Sequence, residues 1–321
     1  MYFNDTNSFF HGIMFHHFHD EKLHIKSQGS ISSDDLFSLV KFIGRENIID
    51  AEIFYEKYHE KKLNNKEVCF TFDDAIKCQI DIALPVLEEL KIKSFFFIYT
   101  PIFDGKPDNL EVYRYFRTKC FDSIDDFYFY FYKVLGKNLK PFFQKSKKFI
   151  INRKKICPYY SIEDIKFRLV RDKFLSKNNY EKVMEIIMKE KNFIPSKYYK
   201  SLFFDKEDLK KLKSLGHSIG LHSHSHPTLL ENLPNNLQKV EYEKCISILA
   251  NILETSRTEI KFMSHPCGSY NMSTLEILKE LGIKMGFKQI MNLEQDKGMK
   301  NINNSSLEIA RQDHADIMKR I

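Results

Sequence analysis

The chain has 321 residues, 43% of them hydrophobic, which is enough to bury a sizeable core in one large domain or two smaller ones. Charged residues at 29% and the lack of any run of 18 apolar residues exclude a helical membrane protein and a disordered chain alike. The net charge of +7 is mild for this length and does not by itself call for nucleic acid.

In chain order, residues 11–19 (HGIMFHHFH) read as a short apolar strand running into a loop. Residues 32–44 predict a helix, with Ser33 as candidate cap and Leu36, Leu39, Val40 and Ile43 at helical spacing. Residues 67–72 (EVCFTF) are a buried strand ending at Asp73 and Asp74. A helix follows, with Ile82, Val86, Leu87 and Leu90 on one face, and Pro85 should kink or restart it. Residues 93–99 (KSFFFIY) form another buried strand, so the order implies a parallel βαβ unit. Residues 104–200, rich in Lys, Phe and Tyr, break this rhythm and read as a mostly helical insertion within one domain spanning 1–321. Alternation then resumes with a helix over 206–215, a strand over 217–221, a helix over 237–253, a strand over 259–263, a helix over 274–281, a strand over 283–287 and a last strand over 307–310. Polar motifs placed just after strands fit a parallel α/β barrel, whose chemistry sits at the strand C-termini.

Twelve histidines are unevenly spread: five fall in 11–24 and four in 217–226, a clustering that asks for metal binding or proton transfer. The six cysteines lack CxxC spacing and read as reduced thiols, and residues 1–10 lack the pattern of a secretory leader, so the expected location is the cytoplasm. Residues 133–160 hold nine Lys or Arg and no acidic residue. They form either a solvated face or a patch that attracts an anionic substrate or the inner face of a membrane.

Three motifs carry chemistry. Thr71-Phe72-Asp73-Asp74 ends a strand, and adjacent carboxylates point different ways, so one can bind a metal while the other serves as a base; the same pair also suits a helix cap. His222-Ser223-His224-Ser225-His226 places His222 and His226 on one face of either a helix or a strand, with His224 joining them only if the segment is extended. Ser264-His265-Pro266-Cys267-Gly268-Ser269-Tyr270-Asn271 contains a Pro and Gly turn that can present a backbone N–H to an oxyanion.

Together, TFDD at 71–74, His-Ser-x-x-His at 222–226 and HPCGSYN at 265–271 resemble the polysaccharide deacetylase family, also called NodB homology or carbohydrate esterase family 4. ALPVLEELKIKSFFFI (83–98) and EDLKKLKSLGHSIG (207–220) are similar to it as well. The resemblance covers about 66–103 and 205–290, with short pieces at 11–19 and 307–316, and leaves out 104–200. It implies a distorted, seven-stranded parallel (β/α) barrel of the NodB type with a helical insertion. It also implies a hydrolase of carbon–nitrogen bonds other than peptide bonds, removing an N-acetyl or similar acyl group from an amino sugar. By the same resemblance Asp74, His222 and His226 would hold a divalent metal, zinc first, with cobalt, nickel, manganese and iron as alternatives. Asp73 would be the general base, and the backbone at Pro266, Cys267 and Gly268 would hold the oxyanion.

The sequence departs from the family in several places. Ala75 replaces the usual Gly, Ser264 stands where an orienting Arg is usual, and the Trp-containing motif is absent. The late Leu-x-His that supplies the acid is missing too. A permuted branch carries an apolar-x-His on its first strand, and Met14-Phe15-His16 resembles that piece. His16 is therefore the expected general acid, with His17 and His314 behind it. Arg311 or Asp313 in the C-terminal IARQDHAD is the candidate replacement for the orienting pair. The expected substrate is an amino sugar or glycan, phosphate-bearing in view of the basic insertion, in surface-polysaccharide assembly. Two rivals remain at this point: an inactive barrel acting as a carbohydrate-binding or regulatory module, and a nucleic-acid binder using 133–160, which the family resemblance disfavours.

Overall fold

Seven short strands run parallel in one sheet in a computed structural model that describes residues 9–107, 109–293 and 297–321. They are β1 (His11–Phe15), β2 (Val68–Asp73), β3 (Phe95–Ile98), β4 (Ser218–Leu221), β5 (Phe262–Ser264), β6 (Met285–Phe287) and β7 (Arg311–Asp313), in the spatial order β6-β5-β4-β3-β2-β1-β7. A further parallel bridge joins Phe287 to Ile309, just before β7, and so brings the sheet round almost to a closed barrel. The first eight residues, on which the absence of a leader pattern was read, lie outside the described ones.

The chain divides into two compact units. The first, residues 1–24, 29–108 and 200–321, holds the barrel with α1 (Ser33–Ile43), α2 (Ala51–His59) and α3 (Leu84–Glu89). The second, residues 25–28 and 109–199, is helical: α4 (Asn109–Cys120), α5 (Ile124–Leu135), α6 (Lys140–Lys145), α7 (Lys147–Ile156), α8 (Ile162–Leu169) and α9 (Lys177–Glu190). After the one-turn α10 (Tyr199–Leu202), the first unit continues with α11 (Lys206–Ser214), α12 (Asn235–Ile252), α13 (Met272–Glu280) and α14 (His314–Met318).

Strand alternation sorts the apolar residues into two layers. Phe70, Phe72, Phe96, Ile98, Ile219, Leu221 and Met263 pack outward into the large cluster under the helices. Cys69, Phe95, Phe97, Phe262, Met285, Phe287 and Ile309 form a second cluster with Ala51 and Phe54 of α2. That phenylalanine-rich layer fills the barrel interior, so polar groups collect only at its C-terminal mouth. Two glycines make the filling possible. A Cβ at Gly220 would come within 2.5 Å of the Phe262 carbonyl oxygen, and one at Gly12 would press on Phe287 at 3.2 Å and on the Arg311 stem at 3.1 Å.

Some local details differ from the sequence reading. Ser32 caps α1, through a reciprocal capping box with Asp35, because its hydroxyl is the one that reaches the Asp35 N–H. Pro85 restarts the helix, as one of the two expectations had it: a π-helical turn over Gln79–Ala83 ends there and Pro85 sits in the first turn of α3, where no N–H is needed. The last strand is Arg311–Asp313, four residues beyond the apolar start that suggested 307–310, because its inward position carries a buried arginine and not a hydrocarbon side chain.

Candidate active site

The C-terminal ends of parallel strands converge on one mouth, and each polar motif arrives there on a different strand. Asp73 is the last residue of β2; His222 follows β4; Ser264 ends β5; His16 follows β1; Arg311 opens β7. Asp74 turns off β2 with φ 78°, which swings its carboxylate away from that of Asp73.

Segment 222–226 is neither strand nor helix. Ser223 (φ 61°) and His226 (φ 50°) adopt left-handed backbone and fold the loop so that the ring Nε2 atoms of His222 and His226 stand 3.2 Å apart. Asp74 Oδ1 lies 3.2 Å from the first and 3.4 Å from the second. Glu241 of α12 pins the loop, accepting from the N–H groups of His224 and Ser225 and from the Ser225 hydroxyl. His224 turns out of the triangle: its Nδ1 meets the Thr100 hydroxyl at 2.8 Å and its Nε2 lies 3.8 Å from Asp104.

The triangle has the character of a metal site. His222 Nδ1 sits 3.0 Å from the Ser264 carbonyl oxygen and 2.7 Å from its hydroxyl, so the ring proton is on Nδ1 and the Nε2 lone pair points inward. Asp74 Oδ1 is buried with no hydrogen-bond donor. Burial holds His226 neutral, its pKa lowered to about 4 against the pull of Asp74. Three lone-pair atoms thus face one another with edges of 3.2 to 3.4 Å. Ligand atoms about 2.1 Å from one ion stand about 3.0 Å apart in octahedral and about 3.4 Å apart in tetrahedral geometry, so the donor set fits a divalent cation.

Asp73 is 1% exposed, and its two oxygens have different surroundings. Oδ1 accepts from Arg311 Nη1 at 2.8 Å and from the Ser264 hydroxyl at 3.1 Å. Oδ2 faces His16 Nε2 at 3.9 Å and His222 Nε2 at 4.0 Å. Burial alone would raise the Asp73 pKa, but Arg311 first, then His222 and His16, outweigh it and hold the carboxyl below its ordinary value. Burial likewise works against an ionised Asp74, and His226, His222 and His16 overcome it. His222 moves the other way: burial would lower its pKa, yet Asp73 and Asp74 raise it.

Arg311 is itself anchored on both sides of that contact. Its Nε donates to the Lys288 carbonyl at 2.7 Å, and Nη1 also reaches the Thr71 hydroxyl at 3.3 Å. Asp313, by contrast, caps α14 by accepting from the Ala315 N–H. His314 is buried with Nδ1 and Nε2 against the Met14 and Gly29 carbonyls, so neither nitrogen is placed to serve a substrate. His16 is a quarter exposed, with Nε2 3.8 Å from Asp74 Oδ2, and His17 stacks beside it. In the third motif, Pro266–Gly268 is a tight turn with Cys267 at φ 52° and Gly268 at φ 65°, and His265 is buried, donating to the Leu307 carbonyl against the Tyr270 ring.

Three participants escaped the sequence reading. Ser264 links Asp73 to His222; it was noted only as the place of a missing arginine. Gln79 ties the ends of β1 and β2, donating to the His16 and Asp73 carbonyls. Glu241 sits on a helix that otherwise reads as ordinary. Their one sequence signal is polarity at a strand end for Ser264; the other two carry none.

The family model of polysaccharide deacetylases matches residues 174–286, a span that contains His222, His226 and the Pro266–Gly268 turn. The resemblance to a polysaccharide deacetylase domain spans these residues, about a third of the chain. The enzyme class that goes with such a domain is a carbohydrate deacetylase, a hydrolase. Among solved structures, the Streptococcus pyogenes deacetylase PplD in complex with acetate is similar at a TM-score of 0.52 and 15% identity, over 97% of this chain and 96% of that one. IcaB from Ammonifex degensii (TM-score 0.52, 12% identity, 95% and 91% covered) and the BpsB deacetylase domain from Bordetella bronchiseptica (0.52, 12%, 95% and 94%) share the fold as well. At these identities the likeness to the deacetylase structures is one of fold. No curated protein matches the chain by sequence.

Proposed function

We propose that this deacetylase domain removes an N-acetyl, or similar acyl, group from an amino sugar in surface-polysaccharide or glycan biosynthesis, with a divalent metal, zinc first, held by Asp74, His222 and His226. The observation that carries the reading is the pairing of a buried, ionised carboxylate with a three-donor metal set one residue along the chain. When bound, such a metal supplies Lewis-acid polarisation of a carbonyl and makes water a better nucleophile at neutral pH.

The protein's own groups do the rest. Arg311 and Ser264 occupy Oδ1 of Asp73, so Oδ2 is the working oxygen and takes a proton from the attacking water. The N–H of Cys267, in its left-handed turn, is assigned to the carbonyl oxygen as negative charge develops there. As the carbon–nitrogen bond breaks, His16 gives its Nε2 proton to the leaving amine; the products are the free amino sugar and a carboxylate such as acetate. His16 Nε2 stands 3.9 Å from Asp73 Oδ2 and 3.8 Å from Asp74 Oδ2, which places the donor beside the proposed base and metal site. Acetate accompanies the Streptococcus pyogenes deacetylase in its structure, which agrees with this product. The helical unit is read as an insertion in the one barrel domain, and a cytoplasmic site of action follows the sequence expectation; no helix among the described residues is long and apolar enough to cross a membrane.

The test is acetate release from a panel of N-acetylated hexosamine oligosaccharides and phosphate-bearing acetylamino sugars, with added zinc or cobalt. Asp73→Asn should lose roughly a thousandfold in kcat while keeping its metal, and His222→Ala should lose the metal as well. Full activity in both variants would falsify the proposal.

A further inference from the structure

The helical unit bears a surface that the catalytic reading does not use. Lys145 ends α6, and Lys147 and Lys148 open α7; with Gln144, Ile151 and Asn152 they line a notch of about 390 Å³. None of these three lysines has a carboxylate partner among the described residues, and all are exposed. Lys154, by contrast, is spent on structure, since its Nζ donates to the Pro158 and Tyr160 carbonyls past the helix end. Lys147 and Lys148 lie in the first turn of a helix, where the macrodipole disfavours cations, so local helix stability does not account for them.

Apolar side chains share this face. Ile150 is the one buried residue of α7, while Phe149, Ile151 and Ile156 are 49%, 45% and 37% exposed. Phe149 and Ile156 are seven residues apart and so lie on one stripe of the helix, next to the stripe of Lys148 and Lys155. A solvated face needs the lysines but gains nothing from hydrocarbon beside them. A soluble polyanion would satisfy the charges and leave Phe149 and Ile156 in water. A bilayer satisfies both, with phosphate headgroups against the ammonium groups and interfacial hydrocarbon against the apolar stripe.

We propose that the α6–α7 face is a peripheral docking surface for an anionic phospholipid membrane, the lysine notch taking headgroup phosphate and Phe149, Ile151 and Ile156 entering the interface. The proposal is independent of the deacetylase reading, because vesicle binding is measured without substrate.

The experiment mixes the purified full chain with vesicles of phosphatidylcholine alone or with phosphatidylglycerol added, at low and high salt, and measures co-sedimentation. Binding should require phosphatidylglycerol and weaken with salt. The triple reversal Lys145→Glu, Lys147→Glu, Lys148→Glu should lower the partition coefficient roughly a hundredfold. Phe149→Ser with Ile156→Ser should lower it about tenfold, yet leave retention on a heparin column unchanged. Circular dichroism and metal content identify a misfolded variant, and the milder Lys→Gln triple, expected to lose roughly tenfold, then takes its place. Equal binding to both vesicle types, or reversed variants that bind like wild type, would overturn the proposal. So would serine variants that lose heparin retention in parallel, which points to a soluble polyanion, or that convert a dimer to a monomer without changing vesicle binding, which points to a second copy of the chain.

Discussion

Arg311 does two jobs with one guanidinium: it holds Asp73 ionised and fills the space between β7 and the barrel interior. Replacing it by Met keeps most of the volume and removes the charge, so the Asp73 pKa should rise. A base works only when unprotonated, and the acid limb of kcat/KM should therefore move to higher pH while the alkaline limb stays. A pH–rate profile of Arg311→Met decides this, and an unmoved acid limb would discard the orienting role. The folded state should lose about 3 to 5 kcal/mol as well, the usual cost of stripping one partner from a buried ion pair. Elsewhere at this scale, burial keeps His265 neutral down to about pH 3 and His11 down to about pH 4. Between those values and the ordinary histidine pKa of about 6.5, the unfolded chain takes up protons that the folded chain refuses. Stability should thus be full above about pH 6.5 and fall as the pH drops toward 4 and 3. Urea melts over that range should show the fall, and His265→Gln should flatten it; a His265→Gln chain with an unchanged pH slope would show that this group is not responsible.

Among the elements, β1 makes room for catalysis by what it lacks. Gly12 lets the Arg311 stem pass, and a Val there should push the guanidinium off Asp73. Gly12→Val is expected to lower kcat while the metal content stays near wild type, and loss of both together would mean that the barrel, not the arginine, had failed. The loop after β4 makes a parallel case. Glu241 offsets the left-handed backbone of Ser223 and His226 by accepting from the two N–H groups between the His222 and His226 rings. Glu241→Ala should weaken zinc affinity by roughly tenfold to a hundredfold, measured by competition with a chromogenic chelator; an unchanged Kd removes Glu241 from the account. These elements also mark what a sequence can disclose. Asp73, Asp74, His222 and His226 stand in contiguous motifs, and strand–helix alternation with strand-end polarity was enough to read the barrel. Arg311 is 238 residues from Asp73, and only the position of β7 beside β1 brings them together. The apolar run at 307–310 drew the strand assignment away from a segment whose inward residue is charged. Gln79 and Glu241 act through main-chain groups of other segments, which leaves no side-chain pattern along the chain.

For the whole molecule, the proposed metal donors all belong to the barrel unit, so metal should stabilise that unit against unfolding by linkage. At a free zinc concentration one hundred times Kd the gain is about 2.7 kcal/mol. Calorimetry with zinc and with chelator should show one shifted transition, and superimposable scans would count against a built metal site. The basic helical unit bears no metal-facing residue, and its own unfolding should be insensitive to the same addition.

The ion pair across β7 and β2 has a consequence for how the chain finds its fold. β7 meets β1 through only three matched residues, Gly12 with Arg311, Ile13 with Gln312 and Met14 with Asp313. A slip of one residue would point Gln312 at the base and turn the guanidinium into the hydrocarbon layer under the helices, leaving two opposite charges buried apart. Misaligned closure is therefore penalised by the same pair that sets up the proposed base, Asp73. Neutralising Asp73 removes the penalty, so Asp73→Asn should exchange the β7 amide hydrogens faster than wild type even where its melting temperature is unchanged.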